Sequence, residues 1–157
     1  MSGWEYTDTL IEGARRQSAR VRSLMPVCAV DGQLVHAWLE FSHHALSGPR
    51  ARIALDHAVF DPRRSRELRV GTGTGQPWLQ RASIAPDGAL GLREVRELWA
   101  RVRGAGLLTL RLPVQGQRLP VATCDLASLD RSRLPWDDTR LAKRLMHEQT
   151  LRAQADS

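Results

Sequence analysis

The residues best suited to chemistry in this chain are its histidines and its two cysteines. The possible metal ligands are His36, His43, His44, His57, Cys28 and Cys124. None of them falls in a C-x-x-C or H-x-x-x-H spacing, which would place two zinc ligands on one turn or helix face. The sequence therefore predicts no metal site, and it contains no motif that requires a cofactor.

A nucleophilic site would need Cys28 close to a base. His36 and His57 lie in runs that we expect on strands near Cys28, and Glu40 or Asp56 could act as the carboxylate. However, Cys28 lies in the apolar run Pro-Val-Cys-Ala-Val, and burial of a thiol raises its pKa and makes it inert. A structural thiol is the favoured interpretation, and a small enzyme with a His/Cys or His/carboxylate site stays an alternative.

The glycine-rich run at residues 71–75 has the composition of a phosphate-binding loop but not the pattern of one. Gly-Thr-Gly-Thr-Gly matches neither G-x-G-x-x-G nor the P-loop with its lysine. An extended segment follows it, so no helix N-terminus is available to hold an anion. We interpret it as a hairpin loop.

Arginine is the ionisable residue in excess. The formal net charge is +6, and Lys143 is the only lysine. Basic residues outnumber acidic ones by seven to three at 50–81 and by six to two at 93–118. If these segments are neighbours in a sheet, they form one positive surface that can bind phosphates or an acidic protein. The arginines assigned to this surface are Arg50, Arg52, Arg63, Arg64, Arg66, Arg69, Arg81, Arg111 and Arg118. A GC-rich genome would also enrich arginine, so a solvated surface without a partner stays open.

A second set of polar residues lies on two separate segments of the chain. Arg16 and Arg20 form an R-x-x-x-R pair, and Glu-Phe-Ser-His-His-Ala follows at 40–45. This arrangement resembles a degenerate PilZ signature, in which R-x-x-x-R is paired with a D-x-S-x-x-G strand. Glu40 stands in place of the aspartate and Ala45 in place of the last glycine. The resemblance implies a small β-barrel that binds cyclic di-GMP, with Arg16, Arg20 and Ser42 in contact with the dinucleotide.

Three helices and a set of antiparallel strands are predicted to position these residues. The helices span about 10–24, with a Thr9/Glu12 capping box, about 92–103, and about 138–153, capped by Asp137. On the first of them the arginines would form the polar face. Asp31-Gly32 predicts a type I′ hairpin turn, and alternating runs at 33–41, 52–60 and 107–114 predict strands. Short connections favour antiparallel pairing.

Length and composition bound the class of protein. A chain of 157 residues with 42% hydrophobic and 25% charged residues is typical of one globular domain, here 1–157. No signal peptide and no apolar run long enough to span a bilayer are recognised, so we expect a cytoplasmic protein without a membrane partner.

The predicted fold is α+β: an antiparallel sheet or open β-barrel or sandwich of about six to seven strands, with N-terminal, central and C-terminal helices. The predicted function is a non-enzymatic binding or assembly protein. Its arginine surface would contact an acidic partner, most often another protein, and one terminal helix would dock on another chain. Nucleic-acid binding and cyclic-dinucleotide binding are the alternatives within the same class. The oligomeric state is left open.

Overall fold

The computed structural model describes residues 3–136. Within this range the chain forms strands, one α-helix and two short 3₁₀ turns. The strands are β1 (Glu5–Ile11), β2 (Ala14–Arg22), β3 (Cys28–Val30), β4 (Gln33–Val35), β5 (Ala37–His44), β6 (Gly48–Leu55), β7 (Glu67–Gly71), β8 (Trp78–Ile84), β9 (Leu90–Leu92), β10 (Leu107–Arg111) and β11 (Val121–Asp125). The helix is α1 (Val95–Arg101), and the 3₁₀ turns are Pro62–Arg64 and Arg131–Arg133. The predicted helix at 138–153 lies outside the described residues.

Nine of these strands form one antiparallel sheet, in the order β1-β2-β5-β6-β9-β8-β7-β10-β11. The predicted hairpin at Asp31-Gly32 is confirmed: β3 and β4 pair around it as a separate two-stranded sheet, and both turn residues have positive φ, 50° and 78°. That conformation is what a type I′ turn requires.

The sheet curls until its far end meets the segment that follows β2. The backbone N–H of Leu24 donates to the carbonyl oxygen of Thr123 in β11 at 2.8 Å. Beside this contact, the indole Nε1–H of Trp4 donates to the carbonyl oxygen of Asp125, also at 2.8 Å. One face of the sheet is therefore enclosed as a core, and the other face is the outer surface.

The core consists of the inward residues of the alternating strands together with an aromatic cluster. Phe41 on β5 is fully buried, with its ring 5.1 Å from Trp99 of α1 and 5.6 Å from Trp136, centroid to centroid. The rings of Trp99 and Trp136 are 4.6 Å apart, and both Phe41 contacts are edge-to-face, as aromatic pairs prefer. The helix is thus fixed to the centre of the sheet.

The predicted N-terminal helix at 10–24 is wrong, because this segment is a β-hairpin. Thr9 lies in β1 and Glu12 in the turn, so they form no capping box. Glu12 and Gly13 have φ of 53° and 76°, which closes a two-residue turn between β1 and β2. Along β2 the buried Ala19 and Val21 alternate with exposed arginines. This period of two is that of a strand.

The predicted α+β class is therefore wrong as well. The described residues contain one helix rather than three, and it spans only seven residues inside the predicted range 92–103. The nine-stranded antiparallel sheet also exceeds the predicted six to seven strands. The antiparallel pairing itself was correctly predicted. The structure is a mostly-β fold in which the strands, and not the helices, position the polar surface residues.

Candidate anion-binding cleft

An open cleft of about 670 Å³ lies on the outer face of the sheet, over β2, β5, β6, β9 and the start of the segment after β9. Its charged and hydroxyl side chains come from different strands that the register aligns. Those used below are Glu12, Arg16, Ser42, Arg50, Arg52, Ser83, Asp87 and Arg93. The cleft thus collects two residue groups that sequence analysis had kept separate, the arginine surface and the nucleotide alternative.

A glycine of β9 lies in the lining of the cleft. In the sheet Gly91 lies between Arg52 of β6 and Ser83 of β8. A Cβ atom at Gly91 would lie 3.5 Å from the carbonyl oxygen of Ser83, which is an ordinary van der Waals distance. The glycine is therefore not required to avoid a clash, but its lack of a side chain leaves a depression between Arg52 and Ser83.

One wall of the cleft is stabilised by a carboxylate bound between two arginines. Glu40 Oε1 accepts from Arg16 Nη2 at 3.0 Å and from Arg52 Nε at 3.1 Å, and its side chain is only 14% exposed. Arg52 Nη1 also lies 2.6 Å from Asp87 Oδ2. The backbone N–H of Ala89 and, after it, the charge of Arg52 hold the pKa of Asp87 below its ordinary value. These charges are already neutralised by one another.

Arg50 and Arg93 differ from the other arginines of the cleft because neither has such a partner. Ala51 pairs with Leu92, so the next residues along, Arg50 and Arg93, are cross-strand neighbours. Both are exposed, and the guanidinium group of neither forms a hydrogen bond or ion pair with any described residue. Like charges placed opposite each other destabilise a sheet. An anion bound between them would relieve that repulsion.

Ser42 lies beside this pair and completes the polar floor. It is directly opposite Arg50 in the pairing of β5 with β6, and it is buried. Two guanidinium forks and a hydroxyl on neighbouring strands can donate to the oxygens of one carboxylate or phosphate. The arrangement is therefore suited to holding an anion. The same cleft also contains a serine–histidine contact, in which Ser47 Oγ lies 3.0 Å from His44 Nδ1.

The remaining arginines of the predicted surface are distributed over several places. Arg64 is occupied by its own turn, since Nη2 donates to the carbonyl oxygens of Val114 and Gln117 at 3.0 Å each and Nε donates to Asp61 at 3.1 Å. Arg81 forms an ion pair with Glu94 at 3.0 Å. The other members are exposed and line no part of the cleft: Arg63, Arg66, Arg69, Arg111 and Arg118.

Two of the three residues implied by the PilZ resemblance lie in the cleft. Arg16 and Ser42 contribute to its lining, whereas Arg20 lies outside it. Arg20 forms an ion pair with Glu5 at 2.8 Å, and its guanidinium carbon lies 4.7 Å from the ring centroid of Trp38. The R-x-x-x-R pair is part of strand β2, so its two arginines have different surroundings.

No family model, curated protein or solved structure matches this chain. The similarity to PilZ therefore depends on the quoted residues alone. Within residues 3–136, no helix is long and apolar enough to cross a membrane, and no group of three or more His, Cys, Asp and Glu side chains could hold a metal ion.

The enzyme alternative receives no support from the positions of its residues. Cys28 lies on the small β3–β4 hairpin, opposite Val35. Neither its thiol nor the rings of His36 and His57 form a side-chain hydrogen bond with any described residue. Of the two candidate carboxylates, Glu40 is bound by two arginines, and Asp56 accepts from the indole of Trp38 at 3.1 Å.

The thiols provide a test of this interpretation. Burial raises the pKa of Cys124 to about 12, and partial burial raises the pKa of Cys28 above its ordinary value. Because the thiolate is the reactive form, we expect neither thiol of the native protein to react readily with a chromogenic disulfide reagent at neutral pH. Both should react in concentrated urea. Rapid reaction of Cys28 in the native protein would restore the catalytic interpretation.

Arg93 and Asp87 are the cleft residues that sequence analysis missed. Arg93 was counted in a basic segment but assigned to the predicted helix 92–103, and Asp87 was assigned to a turn. Their proximity to Arg50 and Arg52 follows from the pairing of β6 with β9. No local pattern reveals that pairing, because 35 residues separate Arg52 from the Asp87 that it contacts.

Proposed function

We propose that this protein is a non-enzymatic binding protein whose cleft holds an acidic segment of a protein partner. The observation that carries the proposal is the cross-strand pair of Arg50 and Arg93, whose guanidinium groups form no ion pair with any described residue. Every other arginine of the cleft already contacts a carboxylate. The guanidinium groups of Arg50 and Arg93 are therefore available to donate to the carboxylate of a partner.

The lining of the cleft favours a peptide over a nucleotide. The carboxylate of Glu12, which also lines the cleft, would repel a polyphosphate, but it can pair with a basic residue of a mixed-charge protein segment. The lining also includes apolar side chains, among them Ile11, Leu92 and Val95, and it includes no Phe, Tyr or Trp on which a base could stack. Both cysteines are free thiols, which supports a cytoplasmic location as part of the same proposal.

Cyclic-dinucleotide binding is the second candidate function. It is favoured by one observation, that Arg16 and Ser42 line the same cleft as the unpaired arginines. Arginine planes can stack on bases, and the hydroxyl can donate to a phosphate. Against it, Glu40 already binds the guanidinium of Arg16, and Arg20 lies outside the cleft.

Calorimetric titration with three ligands of equal concentration distinguishes these functions. The ligands are a short glutamate-containing peptide, cyclic di-GMP and single-stranded oligothymidylate, each measured at low and at physiological salt. We expect the peptide to bind most tightly and to weaken modestly with salt, because few ions are released. Tighter binding of the dinucleotide would select the second function. A steep loss of oligothymidylate binding with salt would indicate phosphate-backbone recognition instead.

A further inference from the structure

A second pair of unpartnered arginines lies on the same outer face, beyond the cleft. In the pairing of β7 with β10, Val70 is opposite Leu110, so the next residues, Arg69 and Arg111, are cross-strand neighbours. Both are exposed, and the guanidinium group of neither forms an ion pair or hydrogen bond with a described residue. This repeats the arrangement of Arg50 with Arg93, and it again places like charges side by side in a sheet.

The strand order determines how far apart the two pairs lie. From β6 and β9 to β7 and β10, with β8 between them, the pair centres are separated by three strand spacings, or about 14 Å. The row of residues that contains Arg50 and Arg93 continues across the sheet through Arg81 to Glu67, which is opposite Arg81. Arg69 lies two residues from Glu67 along β7, which adds about 6.6 Å along the strand. The centres of the pairs are therefore about 16 Å apart on the surface.

The surface between the two pairs contains two carboxylates and one arginine. Arg81 is bound to Glu94 at 3.0 Å, and Glu67 is directly across from it. A continuous polyanion would meet these carboxylates, and it would be repelled there. A segment with two separate acidic positions and neutral residues between them would not be repelled by these carboxylates.

We propose that the two arginine pairs are subsites for one extended protein segment with two acidic positions about five residues apart. An extended chain advances about 3.3 Å per residue, so five residues span the distance of about 16 Å between the pairs. The segment crosses β9, β8 and β7, with one acidic position at Arg50 and Arg93 and the other at Arg69 and Arg111. Leu79, which is opposite Arg69 and exposed, offers an apolar contact beside the second subsite. This inference rests on the proposed function of the cleft.

The test uses the full chain and three synthetic peptides of equal length in a serine- and threonine-rich background. The first carries glutamate pairs five residues apart, the second carries the same pairs two residues apart, and the third carries a single pair. We expect the first peptide to bind about tenfold more tightly than the other two, because the second contact is intramolecular once the first has formed. The R69A/R111A variant should lose this advantage while it retains the affinity of wild type for the single-pair peptide.

Matched controls separate this inference from the function on which it rests. R22A removes an exposed arginine on β2 that has no partner among the described residues, and it should leave the preference for the five-residue spacing unchanged. Equal binding of all three peptides by wild type, with continued dependence on Arg50 and Arg93, would overturn the two-subsite proposal and leave the cleft function in place. Absence of binding by every peptide would overturn both. Tighter binding of oligothymidylate than of the first peptide would overturn the proposal of a protein segment and would indicate a nucleic acid as the ligand.

Discussion

Replacement of both Arg50 and Arg93 by alanine is expected to weaken the binding of an acidic peptide by about 30- to 160-fold at low salt. The two guanidinium groups have no competing carboxylate, so each should contribute about 1–1.5 kcal/mol through charge-assisted hydrogen bonds. The sum of about 2–3 kcal/mol corresponds to that change in affinity. Calorimetry at low and physiological salt measures the loss, and the thermal midpoint should stay the same or rise because the repulsion between the pair is removed.

Two controls test the specificity of this effect. R50K/R93K keeps both charges but loses the planar fork that matches a carboxylate, so its affinity should lie between those of wild type and the double alanine variant. R22A removes one exposed positive charge outside the cleft. If R22A weakened binding as much as either single cleft variant, R50A or R93A, the protein would attract anions by its net charge alone, and the cleft would have no special role.

Replacement of Phe41 by alanine is expected to lower the free energy of unfolding by about 3–5 kcal/mol. The side chain is fully buried, and its ring contacts those of Trp99 and Trp136 edge-to-face. Truncation leaves a cavity at the contact of the helix with the sheet, and it removes these two aromatic pairs together with the stacking of Phe41 on Trp4. Urea denaturation followed by tryptophan fluorescence gives the value.

Phe41→Leu is the matched control, because it keeps most of the buried volume and removes only the ring contacts. Its effect should be clearly smaller than that of Phe41→Ala. A loss below about 1 kcal/mol for the alanine variant would mean that Phe41 is not at the centre of the core. Because Phe41 lies between Glu40 and Ser42 on β5, Phe41→Ala should also weaken anion binding in the cleft, since Glu40 holds two of its arginines and Ser42 lies in its floor.

The features that depend on neighbouring residues could be read from the sequence. Asp31-Gly32 identifies its hairpin because only a few residue types tolerate two consecutive positive φ angles. The alternating run at 107–114 was also predicted to be a strand, and β10 occupies Leu107–Arg111 within it. In these cases the local conformational preference and the final structure agree.

The N-terminal hairpin shows where local patterns become ambiguous. Residues 10–24 satisfy a helical stripe of apolar residues, and Thr9 with Glu12 imitates a capping box. Gly13, near the start of the proposed helix, and the β-branched Thr7, Thr9 and Ile11 favour the hairpin that is observed. The hairpin also buries Ala19 and Val21 in the core, and this packing is a tertiary effect that local patterns do not contain.

The sequence predicted which types of residue form the cleft, but it did not predict which individual arginines are left without a partner. The arginine excess indicated a positive outer surface, yet the register decides which arginines are neutralised. Arg64 is bound by its own turn and Arg52 by two carboxylates, whereas Arg50 has no partner among the described residues. Such differences arise from pairings between strands far apart in sequence. Charge counts along the chain do not contain them.

NMR spectra of the arginine Nε–H groups, recorded during titration with an acidic peptide, give the most direct test of anion binding at the cleft. We expect the signals of Arg50 and Arg93 to shift first and to saturate together, while that of Arg22 changes little. Small, parallel and non-saturating shifts of all arginine signals would show a diffuse ion atmosphere, and they would contradict a binding site at this pair.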